Sequence, residues 1–395
     1  MKGSWVRVLG ILMMGGLVAA GCGDDVKPDD GLLPRPPAGE GEQFTMTTRI
    51  EAGQEVEHCQ FVTAPDHDMW IYRDEVRFTA GSHHFLLYET PYTSIPTQKE
   101  DGTVVDTSGV FDCSDGATNG WRVSKLVGGS QNGDGDSALM FPEGVGMQVH
   151  ANAVLLMNAH YVNATDEAVE PEVAINLYTR KAESIRQRGD ILFLYNPLIK
   201  AAANADSRAR WRCPVNSDIT IVNMQSHMHR RGIGYAAMVT GQAPFYENGE
   251  WENVPVKQFP DGLEVKAGST LDYYCDYRNQ EARDVYQGPR TTDEMCMLIA
   301  SFYPADPQTA NCLDTDDRIA GEWVGNGTAT CAETLTCIQA ASQSGAKGLE
   351  PFTDCMVKAA PAVSAESSAV FRCLLTADGD PAVACRATMD ACQAK

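Results

Sequence analysis

The chain is predicted to be mainly β, with two tandem antiparallel, jelly-roll-like β-sandwich domains followed by a small disulfide-rich α-helical module. Two observations support this prediction. Short stretches of alternating apolar and polar residues, separated by Gly, Pro, Asp and Asn, recur between residues 44 and 303. This spacing is typical of antiparallel sandwiches and not of βαβ units. After Thr315, Ala, Thr, Ser and Cys dominate and glycines become rare, which favours helices.

The predicted strands form two sets, separated by a charged segment at residues 180–190 that marks the junction between the domains. The first set is Phe44–Ile50, Glu75–Thr79, His84–Tyr88, Val145–His150, Val154–Val162 and Glu172–Tyr178. The second set is Ile191–Tyr195, Ile219–His229, Tyr235–Thr240, Glu264–Tyr274 and Met295–Tyr303. Residues 96–140, rich in Gly, Ser and Asp, are predicted to form a surface loop held by Cys113. Helices are predicted at Ala332–Ala341, Pro351–Ala359, Ala365–Leu375 and Pro381–Ala391.

The first 42 residues are predicted to lie outside the folded domains. Residues 1–21 have the pattern of a secretory signal, with an apolar run too short for a membrane span. The run ends in Ala19-Ala20-Gly21-Cys22, which resembles a bacterial lipobox and predicts lipidation of Cys22. Ordinary secretory cleavage near Ala20 is the alternative. We therefore expect an extracytoplasmic lipoprotein, held at a bacterial membrane (periplasm or cell surface) by its lipid alone.

The net charge of −22 limits the classes of partner. Removal of residues 1–21 would take away Lys2 and Arg7 and no acid, which changes −22 to −24. So acidic a chain argues against nucleic acid or anionic lipid surfaces as partners. We also expect a monomer. The predicted organisation is a signal at 1–21, a polar, proline-rich tether at 22–42, a first sandwich at 43–182, a second at 183–315 and a Cys-rich helical tail at 316–395.

The thirteen cysteines indicate disulfides in an oxidising compartment. If Cys22 carries lipid, an even number remains. None forms a Cys-x-x-Cys motif, so neither a structural zinc nor a thioredoxin-type site is indicated. Six lie between Cys331 and Cys392 and are predicted to form three disulfides in the tail. Their pairing stays open, because six cysteines allow fifteen pairings.

The segment Ser226-His227-Met228-His229 indicates one half of a metal site. It closes an alternating run typical of a strand, on which residues two apart share a face. His227 and His229 are therefore expected to project in the same direction as Ile219 and Ile221. Two imidazoles on one face suit a metal ion, although most His-x-His pairs bind none.

Three further elements strengthen the metal interpretation. His83-His84 follows Gly81-Ser82, and two neighbouring histidines can bind one ion only at a strand end or a bulge. His160 shares a strand face with Asn158, where a single histidine is more often a hydrogen-bonded core residue. Met295, within Glu294-Met295-Cys296, precedes an apolar strand, where a lone methionine is usually part of the core.

The ordered set His-His, His, His-x-His and Glu-Met-Cys resembles the ligand set of the type II copper, ascorbate-dependent monooxygenases. That family includes the peptidylglycine α-hydroxylating and dopamine β-hydroxylating enzymes. The resemblance covers roughly residues 44–312. It implies two β-sandwiches facing each other across an open, watery cleft, with one copper on each. It also implies hydroxylation of an unactivated C–H of a small organic substrate, with O2 and an external reductant such as ascorbate.

The resemblance also implies a role for individual residues. The implied ligands of an electron-donating copper are His83, His84 and His160, and those of the catalytic, oxygen-binding copper are His227, His229 and Met295. The implied disulfides are Cys59–Cys113, Cys213–Cys312 and Cys275–Cys296. The donors suit copper independently of the family, because imidazoles bind both oxidation states and a thioether favours Cu(I).

The chain departs from the peptide-amidating members of this family around the implied site. Gln225 stands where they have an arginine for the substrate carboxylate. Met297 and Ile299 stand where they have an asparagine and a tyrosine, and Asn158 replaces a glutamine. A peptide ending in glycine is therefore not the expected substrate. The more apolar site favours an uncharged or aromatic one.

Two other classes of function fit parts of the pattern. A non-catalytic copper-binding lipoprotein, for storage or delivery, would bind copper without reductant-dependent O2 uptake. A zinc hydrolase using His227 and His229 lacks a carboxylate within the His-x-His segment to act as base, and methionine does not suit zinc. The whole pattern predicts a monooxygenase with two coppers per chain. The tail contains none of the implied ligands and is expected to cap the second domain or bind a partner.

Overall fold

The computed structural model describes residues 32–79, 82–132, 137, 139–343, 348–377 and 379–395. The predicted signal at residues 1–21, the predicted lipidation site Cys22 and the tether up to residue 31 lie outside the described residues. In the described ranges, no helix combines the length and apolar character that crossing a membrane requires. Strands dominate the regular structure and helices are concentrated at the C-terminus, which confirms the predicted fold class.

The first sandwich consists of two five-stranded sheets. Its strands are β1 Gly41–Thr47, β2 Glu55–Thr63, β3 Met69–Phe78, β4 Ser82–Glu89, β5 Phe111–Asp112, β6 Lys125–Ser130, β7 Val145–Val149, β8 Val154–Val162, β9 Glu172–Thr179 and β10 Gln187–Arg188. The sheet orders are β1-β9-β3-β7-β10 and β5-β2-β8-β4-β6. All pairings are antiparallel except β7 with β10.

The second sandwich has a four-stranded and a five-stranded sheet, with a two-stranded ribbon beside them. Its strands are β11 Asp190–Tyr195, β12 Lys200–Ala201, β13 Ala205–Pro214, β14 Ile219–Met228, β15 Gly232–Val239, β16 Tyr246–Asn248, β17 Lys257–Val265, β18 Thr270–Asn279, β19 Val285–Tyr286, β20 Cys296–Tyr303 and β21 Glu322–Val324. The orders are β11-β20-β14-β17, β16-β15-β18-β13-β21 and β12-β19. A short helix, α1 Pro307–Ala310, follows β20.

The two sandwiches meet through one sheet of each. Along β4, Phe85 and Leu87 are fully buried inside the first sandwich, whereas His84 and Leu86 line a cavity shared with the second. Across that cavity, Met297 and Ile299 of β20 belong to the same apolar cluster as the first-sandwich core. Burial of this shared apolar surface holds the two sandwiches together.

The side chain of His227 does not project in the same direction as Ile219 and Ile221, contrary to prediction. The register of β14 shifts between Ile221 and Asn223 against its neighbour β20. A bulge of this kind inserts one residue and therefore reverses the alternation of side chains beyond it. Ile219 and Ile221 accordingly point into the core of the second sandwich, whereas His227 lines the cavity between the sandwiches.

The segment 96–140 is not a surface loop throughout, contrary to prediction. Its strand β6 pairs with β4, and the next residues, Gln131 and Asn132, are buried against the second sandwich. The glycines in β6 reflect close packing and not a turn. A Cβ on Gly129 would lie 2.4 Å from the carbonyl oxygen of Phe85. This distance is too short for any residue that has a Cβ, so the position requires glycine.

The second sandwich continues past Thr315, because β21 pairs with β13 as an edge strand. On β21, Trp323 stacks on Trp211 with 5.8 Å between ring centroids and contacts Phe371 of the tail at 5.3 Å. Ile338 and Phe371 belong to the apolar cluster of the second sandwich. The helical tail therefore packs on the second sandwich and shares its core.

The tail helices fall where the composition predicts them. They are α2 Cys331–Gln343, α3 Glu350–Met356, α4 Ser364–Thr376, α5 Pro381–Ala384 and α6 Arg386–Gln393. Helix α2 begins with a capping box, in which the Glu333 carboxylate accepts from Thr330 N at 2.8 Å while Thr330 Oγ1 accepts from Glu333 N. The tail disulfides are Cys331–Cys392, Cys337–Cys355 and Cys373–Cys385.

In the body of the chain the structure pairs Cys59 with Cys113, Cys213 with Cys312, and Cys275 with Cys296. These are the three pairings that the resemblance implied. Two of them lie beside the implied metal ligands. Cys59 on β2 lies opposite Asn158, two residues before His160 on β8, and Cys296 directly follows Met295. The disulfides therefore anchor the strands that carry the candidate sites.

Candidate metal centres

A first group of metal-binding side chains lies on three adjacent strands of the first sandwich. His160 on β8 is directly opposite His84 on β4 and directly opposite Glu57 on β2. Directly opposed residues of antiparallel strands share a face, so the three side chains converge. One ligand atom from each lies within 4.8 Å of the other two, and all three residues are buried.

His83 occupies a bulge in β4. The register against β8 shifts between Ser82 and His84. A bulge or strand end is the condition under which two neighbouring histidines can bind one ion. The side chain of His83 lies outside the described residues, so its implied role as a ligand stays a prediction.

The imidazole of His160 is fixed by Glu55, one strand away. Its Nε2 lies 3.1 Å from Glu55 Oε1, which makes Nδ1 the nitrogen that would bind a metal. Glu55 in turn accepts hydrogen bonds from the backbone N and Oγ1 of Thr291 in the second sandwich, at 2.8 and 2.9 Å. Partial burial opposes ionisation of Glu55, but the bonds from Thr291 and the contact with His160 lower its pKa.

Glu57 is the acidic member of the first group. Burial raises the pKa of its carboxyl to about 7, against a hydrogen bond from Asn158 Nδ2 at 3.0 Å that favours the ionised form. The nearby carboxylates Asp115, Glu55 and Asp112 raise the pKa further. A buried carboxylate in such surroundings gains stability from a neighbouring cation.

A second group lies on the facing sheet of the second sandwich, where β14 and β20 run antiparallel. His227 is directly opposite Met297, and Met228 is opposite Cys296. Continuing this register by one residue beyond both strand ends brings His229 opposite Met295. His227 and Met295 both line the cavity between the sandwiches. Strand pairing therefore explains why a His-x-His motif and a methionine 66 residues further along meet.

Each histidine of the second group has one ring nitrogen held by an oxygen acceptor. His227 Nδ1 lies 2.6 Å from Gln131 Oε1, and His229 Nδ1 lies 3.1 Å from the carbonyl oxygen of Asp293. Such contacts fix the tautomer and the ring orientation of metal-binding histidines. They leave Nε2 of both rings as the nitrogen that would bind a metal. Three imidazoles fixed in this way, with a thioether beside two of them, fit copper.

Glu294 fastens the histidine segment to the start of β20. Its carboxylate accepts from the backbone N of His229 at 3.2 Å and of Arg231 at 3.0 Å, and it pairs with the Arg231 guanidinium at 3.2 Å. Burial raises the pKa of Glu294, and the Arg231 and His229 donors offset part of that rise. Because Glu294 precedes Met295, this contact positions the methionine relative to His229.

The two groups lie closer together than the implied open, watery cleft would place them. The rings of His84 and His227 are 5.9 Å apart, edge to face. Gln131 of the first sandwich also donates from Nε2 to Ser226 O at 2.6 Å and to Gln225 Oε1 at 3.1 Å. In this structure the sandwiches are therefore in direct contact beside the histidines.

A cavity of about 650 Å³ opens from the histidines between the sandwiches. Its walls are mainly apolar and include Leu86, Tyr88, Leu126, Ile191, Phe193, Tyr195, Met297 and Ile299. The polar residues Asn158, Gln225, Gln131 and Ser301 also line it. Gln225, Met297 and Ile299, the positions at which the sequence departs from the peptide-amidating enzymes, are thus wall residues.

Sequence reasoning missed Glu57, Glu55 and Gln131. A signal for the two acids existed, because Glu55, Glu57 and Cys59 alternate as they would along one face of a strand. That strand, β2, was not among the predicted ones. For Gln131 no signal was visible, since its role depends on the packing of one sandwich against the other.

The fold and the site together define a class of protein: a double β-sandwich with two groups of candidate metal-binding side chains beside a shared cavity. Residues 208–320 match the family model described as "Copper type II ascorbate-dependent monooxygenase, C-terminal domain". The match shows that residues 208–320 are similar to the C-terminal domain of the copper type II, ascorbate-dependent monooxygenases. It spans His227, His229 and Met295 but not the histidines of the first sandwich.

Other comparisons add little. No curated protein matches the chain. A crystal structure titled peptide-N(4)-(N-acetyl-beta-D-glucosaminyl) asparagine amidase is similar at 8% identity and a TM-score of 0.30, covering 66% of this chain and 95% of that one. A likeness this weak says nothing about the site.

Proposed function

We propose that the protein is a dicopper monooxygenase that hydroxylates a C–H bond of a small, uncharged or aromatic organic substrate. O2 and an external reductant such as ascorbate are its co-substrates. The observation that carries the proposal is the cavity that His84, His227 and Met295 line together. A storage or delivery protein needs donors for copper but has no need of an apolar chamber of this size beside them.

Each copper is assigned to one of the two groups of metal-binding side chains. His227 and His229 through Nε2, with Met295, would hold the oxygen-binding copper, and His84 and His160, with His83, would hold the electron-donating copper. Copper bound at these positions supplies the one-electron chemistry that O2 reduction and C–H hydroxylation require. Residues of this chain orient the ligands and line the cavity.

Those side chains orient the ligands and shield the reaction. Gln131, the carbonyl of Asp293 and the Glu55 carboxylate each fix one imidazole. The mainly apolar walls next to His227 and Met295 would disfavour water there, which would protect reactive species from side reactions. The proximity of His84 to His227, at 5.9 Å between rings, suits electron transfer between the two centres without intervening solvent.

The walls also support the proposed class of substrate. Met297, Ile299 and Phe193 provide apolar surface, and Gln225 and Asn158 provide neutral hydrogen-bonding groups. No lysine or arginine is among the residues that line the cavity in the described part of the chain. A substrate carboxylate would therefore be buried without a cationic side chain as partner, which costs several kcal/mol.

We further propose that the chain acts outside the cytoplasm as a monomeric lipoprotein anchored through Cys22. The support comes from the lipobox-like sequence and from the six disulfides among the described residues. Disulfides at this density are typical of oxidising compartments.

The test is a substrate screen with copper-loaded protein, ascorbate and isotopically labelled O2. The panel holds neutral alkylbenzenes, an arylalkylamine and a peptide ending in glycine. We expect O2 uptake coupled to a product that carries one labelled oxygen atom, for a neutral or aromatic member of the panel and not for the peptide. Copper binding with no reductant-dependent O2 uptake on any panel member would instead support the non-catalytic copper protein.

A further inference from the structure

The first metal centre contains a carboxylate as well as its histidines. Glu57, His84 and His160 occupy one rung across three adjacent strands, with Glu57 and His84 on either side of His160. Glu57 is only 6% exposed and offers an oxygen within 4.8 Å of the ligand atoms of both histidines. Glu55, the neighbouring acid on the same strand, is not part of this group.

The Glu57 carboxylate is held in place on one side. Asn158 Nδ2 donates to Glu57 Oε2 at 3.0 Å, and Asn158 is itself buried beside the Cys59–Cys113 disulfide, with its Nδ2 3.7 and 3.6 Å from the two sulfurs. One oxygen is therefore fixed by an amide. Ligating carboxylates in proteins are commonly hydrogen-bonded in this way, with the second oxygen available to the metal.

We propose that the Glu57 carboxylate is a ligand of the metal in the first centre, together with His84 and His160. The inference rests on the proposed function only in taking that metal to be copper. An anionic oxygen is a harder donor than imidazole and stabilises Cu(II) more than Cu(I). The first centre therefore differs chemically from the second, in which the thioether of Met295 stabilises Cu(I).

This difference has a consequence for electron flow. A carboxylate ligand lowers the reduction potential of the first copper, because it favours the oxidised state. The first centre is thereby made the better electron donor to the second. The reductant that reloads it must in turn be strong enough to reduce a carboxylate-bound Cu(II).

The experiment isolates the first centre in a His227→Ala/His229→Ala background, loaded with one equivalent of Cu(II). Cu(II) and Cu(I) affinities, the reduction potential and the electron paramagnetic resonance spectrum are compared with and without Glu57→Gln. Gln retains an oxygen acceptor for Asn158 but removes the anionic donor. We expect the Cu(II) affinity to fall by more than about tenfold, Cu(I) affinity to change little, and the potential to rise.

Glu55→Gln is the matched control. Glu55 accepts from His160 Nε2, and in Glu55→Gln a neutral amide oxygen replaces the charged acceptor. The affinities for Cu(I) and Cu(II) should both fall, without any change in the ligand signature of the spectrum. An unchanged spectrum and unchanged Cu(II) affinity in Glu57→Gln would overturn the proposal. A failed monooxygenase assay would not affect this result, because copper binding is measured directly.

A measurement on the unsubstituted Glu57 covers the case in which Glu57→Gln does not fold. The same His227→Ala/His229→Ala background is labelled with carbon-13 in its glutamate carboxyl groups and loaded with Cu(II). Electron–nuclear double resonance should then detect a carboxyl carbon directly coupled to the copper. The absence of such a coupling would contradict ligation by Glu57.

Discussion

Gln131 of the first sandwich lies 2.6 Å from the ring of His227 in the second, with its Oε1 accepting from Nδ1 of the imidazole. The amide nitrogen of the same side chain donates to Ser226 O, the carbonyl just before that histidine. The orientation of an implied ligand in one sandwich is thus set by a side chain of the other. Contact between the sandwiches therefore helps to build the second candidate metal centre.

Gln131→Ala should impair the second centre without unfolding the protein. Loss of the acceptor leaves His227 free to rotate and to change tautomer, which typically costs 10–100-fold in metal affinity or activity. We expect a reduction of that order, roughly 10–100-fold, in copper affinity at the second centre or in kcat/KM. Copper binding at the first centre should remain close to normal, as measured by metal titration.

Asn132→Ala serves as the control for this prediction. Asn132 exchanges two hydrogen bonds with the backbone of Val254, at 3.0 and 3.2 Å, and so makes a comparable contact between the sandwiches without touching a histidine. Equal losses of activity in Gln131→Ala and Asn132→Ala would contradict the prediction. They would show that activity depends on contact between the sandwiches and not on the hydrogen bond that orients His227.

Replacement of His84 or His160 by Ala should remove the electron-donating copper and leave the second copper bound. Both side chains sit at one rung of the sheet, and neither supplies a ligand to the second group. Multiple-turnover activity should fall by more than about a hundredfold, since loss of a ligand exceeds the effect of losing a ligand's support. Copper content per chain and thermal unfolding together test this. An unfolded His160→Ala protein that still binds two coppers in its folded fraction would identify His160 as a core residue.

Asp74 should make the stability of the apoprotein depend on pH. It is fully buried beside the cavity, and burial raises its pKa to about 7 against hydrogen bonds from Ser137 and from Gly129 N. The folded state therefore keeps a proton that the unfolded state has already lost between pH about 4 and about 7. The contribution of Asp74 to stability should fall as pH rises across that window, by up to about 1.4 kcal/mol per pH unit, and be constant above it; Glu57 and Glu294, whose pKa values burial also raises, add to the fall.

Asp74→Asn should make this fall in stability less steep, because an amide resembles the protonated acid and does not titrate, so the contribution of Asp74 is removed. The measurement is chemical denaturation of the metal-free protein, with its disulfides intact, between pH 4 and 8. Asp106→Asn is the control, since Asp106 is exposed and its pKa is lowered by hydrogen bonds from Ser108. Parallel pH profiles for Asp74→Asn and the unsubstituted protein would show that Asp74 does not titrate in this range.

Trp323→Ala should destabilise the second sandwich and the tail together. The indole is 3% exposed and lies between Trp211 and Phe371. Truncation of a buried aromatic residue typically costs about 3–5 kcal/mol. Denaturant unfolding should report a loss of this size in one transition, while both coppers bind to the folded protein. Two separate transitions would show that the tail unfolds as an independent module.

The sequence was sufficient to predict the alternating strands, the tail helices and the ordered set of histidines, because these depend on local periodicity and residue type. It was insufficient where a bulge or a turn interrupts the alternation of side chains along a strand. The bulge between Ile221 and Asn223 reverses the face on which His227 lies, and only strand pairing reveals it. The turn at Ala267-Gly268 likewise divides the predicted strand Glu264–Tyr274 between β17 and β18.

Contacts between segments far apart in the chain could not be predicted from local sequence patterns either. Gln131 lay in a stretch whose glycines indicated a loop, whereas Gly129 is required by the close approach of β4. The pairing of the six tail cysteines depends on how the helices pack, and the spacing of the cysteines in the sequence does not reveal that packing. The proposed ligand role of Glu57 could be inferred only from the structure, because it depends on β2 lying next to β8.

The most direct test of the central claim is X-ray absorption at the copper edge of the fully reduced, copper-loaded protein. A sulfur neighbour should be present for one of two coppers, and it should disappear in Met295→Ile together with O2 uptake, while the first copper stays bound. Met297→Leu, which alters the other methionine of the cavity wall, should keep the sulfur signal. A fully active Met295→Ile protein, or a reduced unsubstituted protein with one copper and no sulfur neighbour, would contradict the assignment.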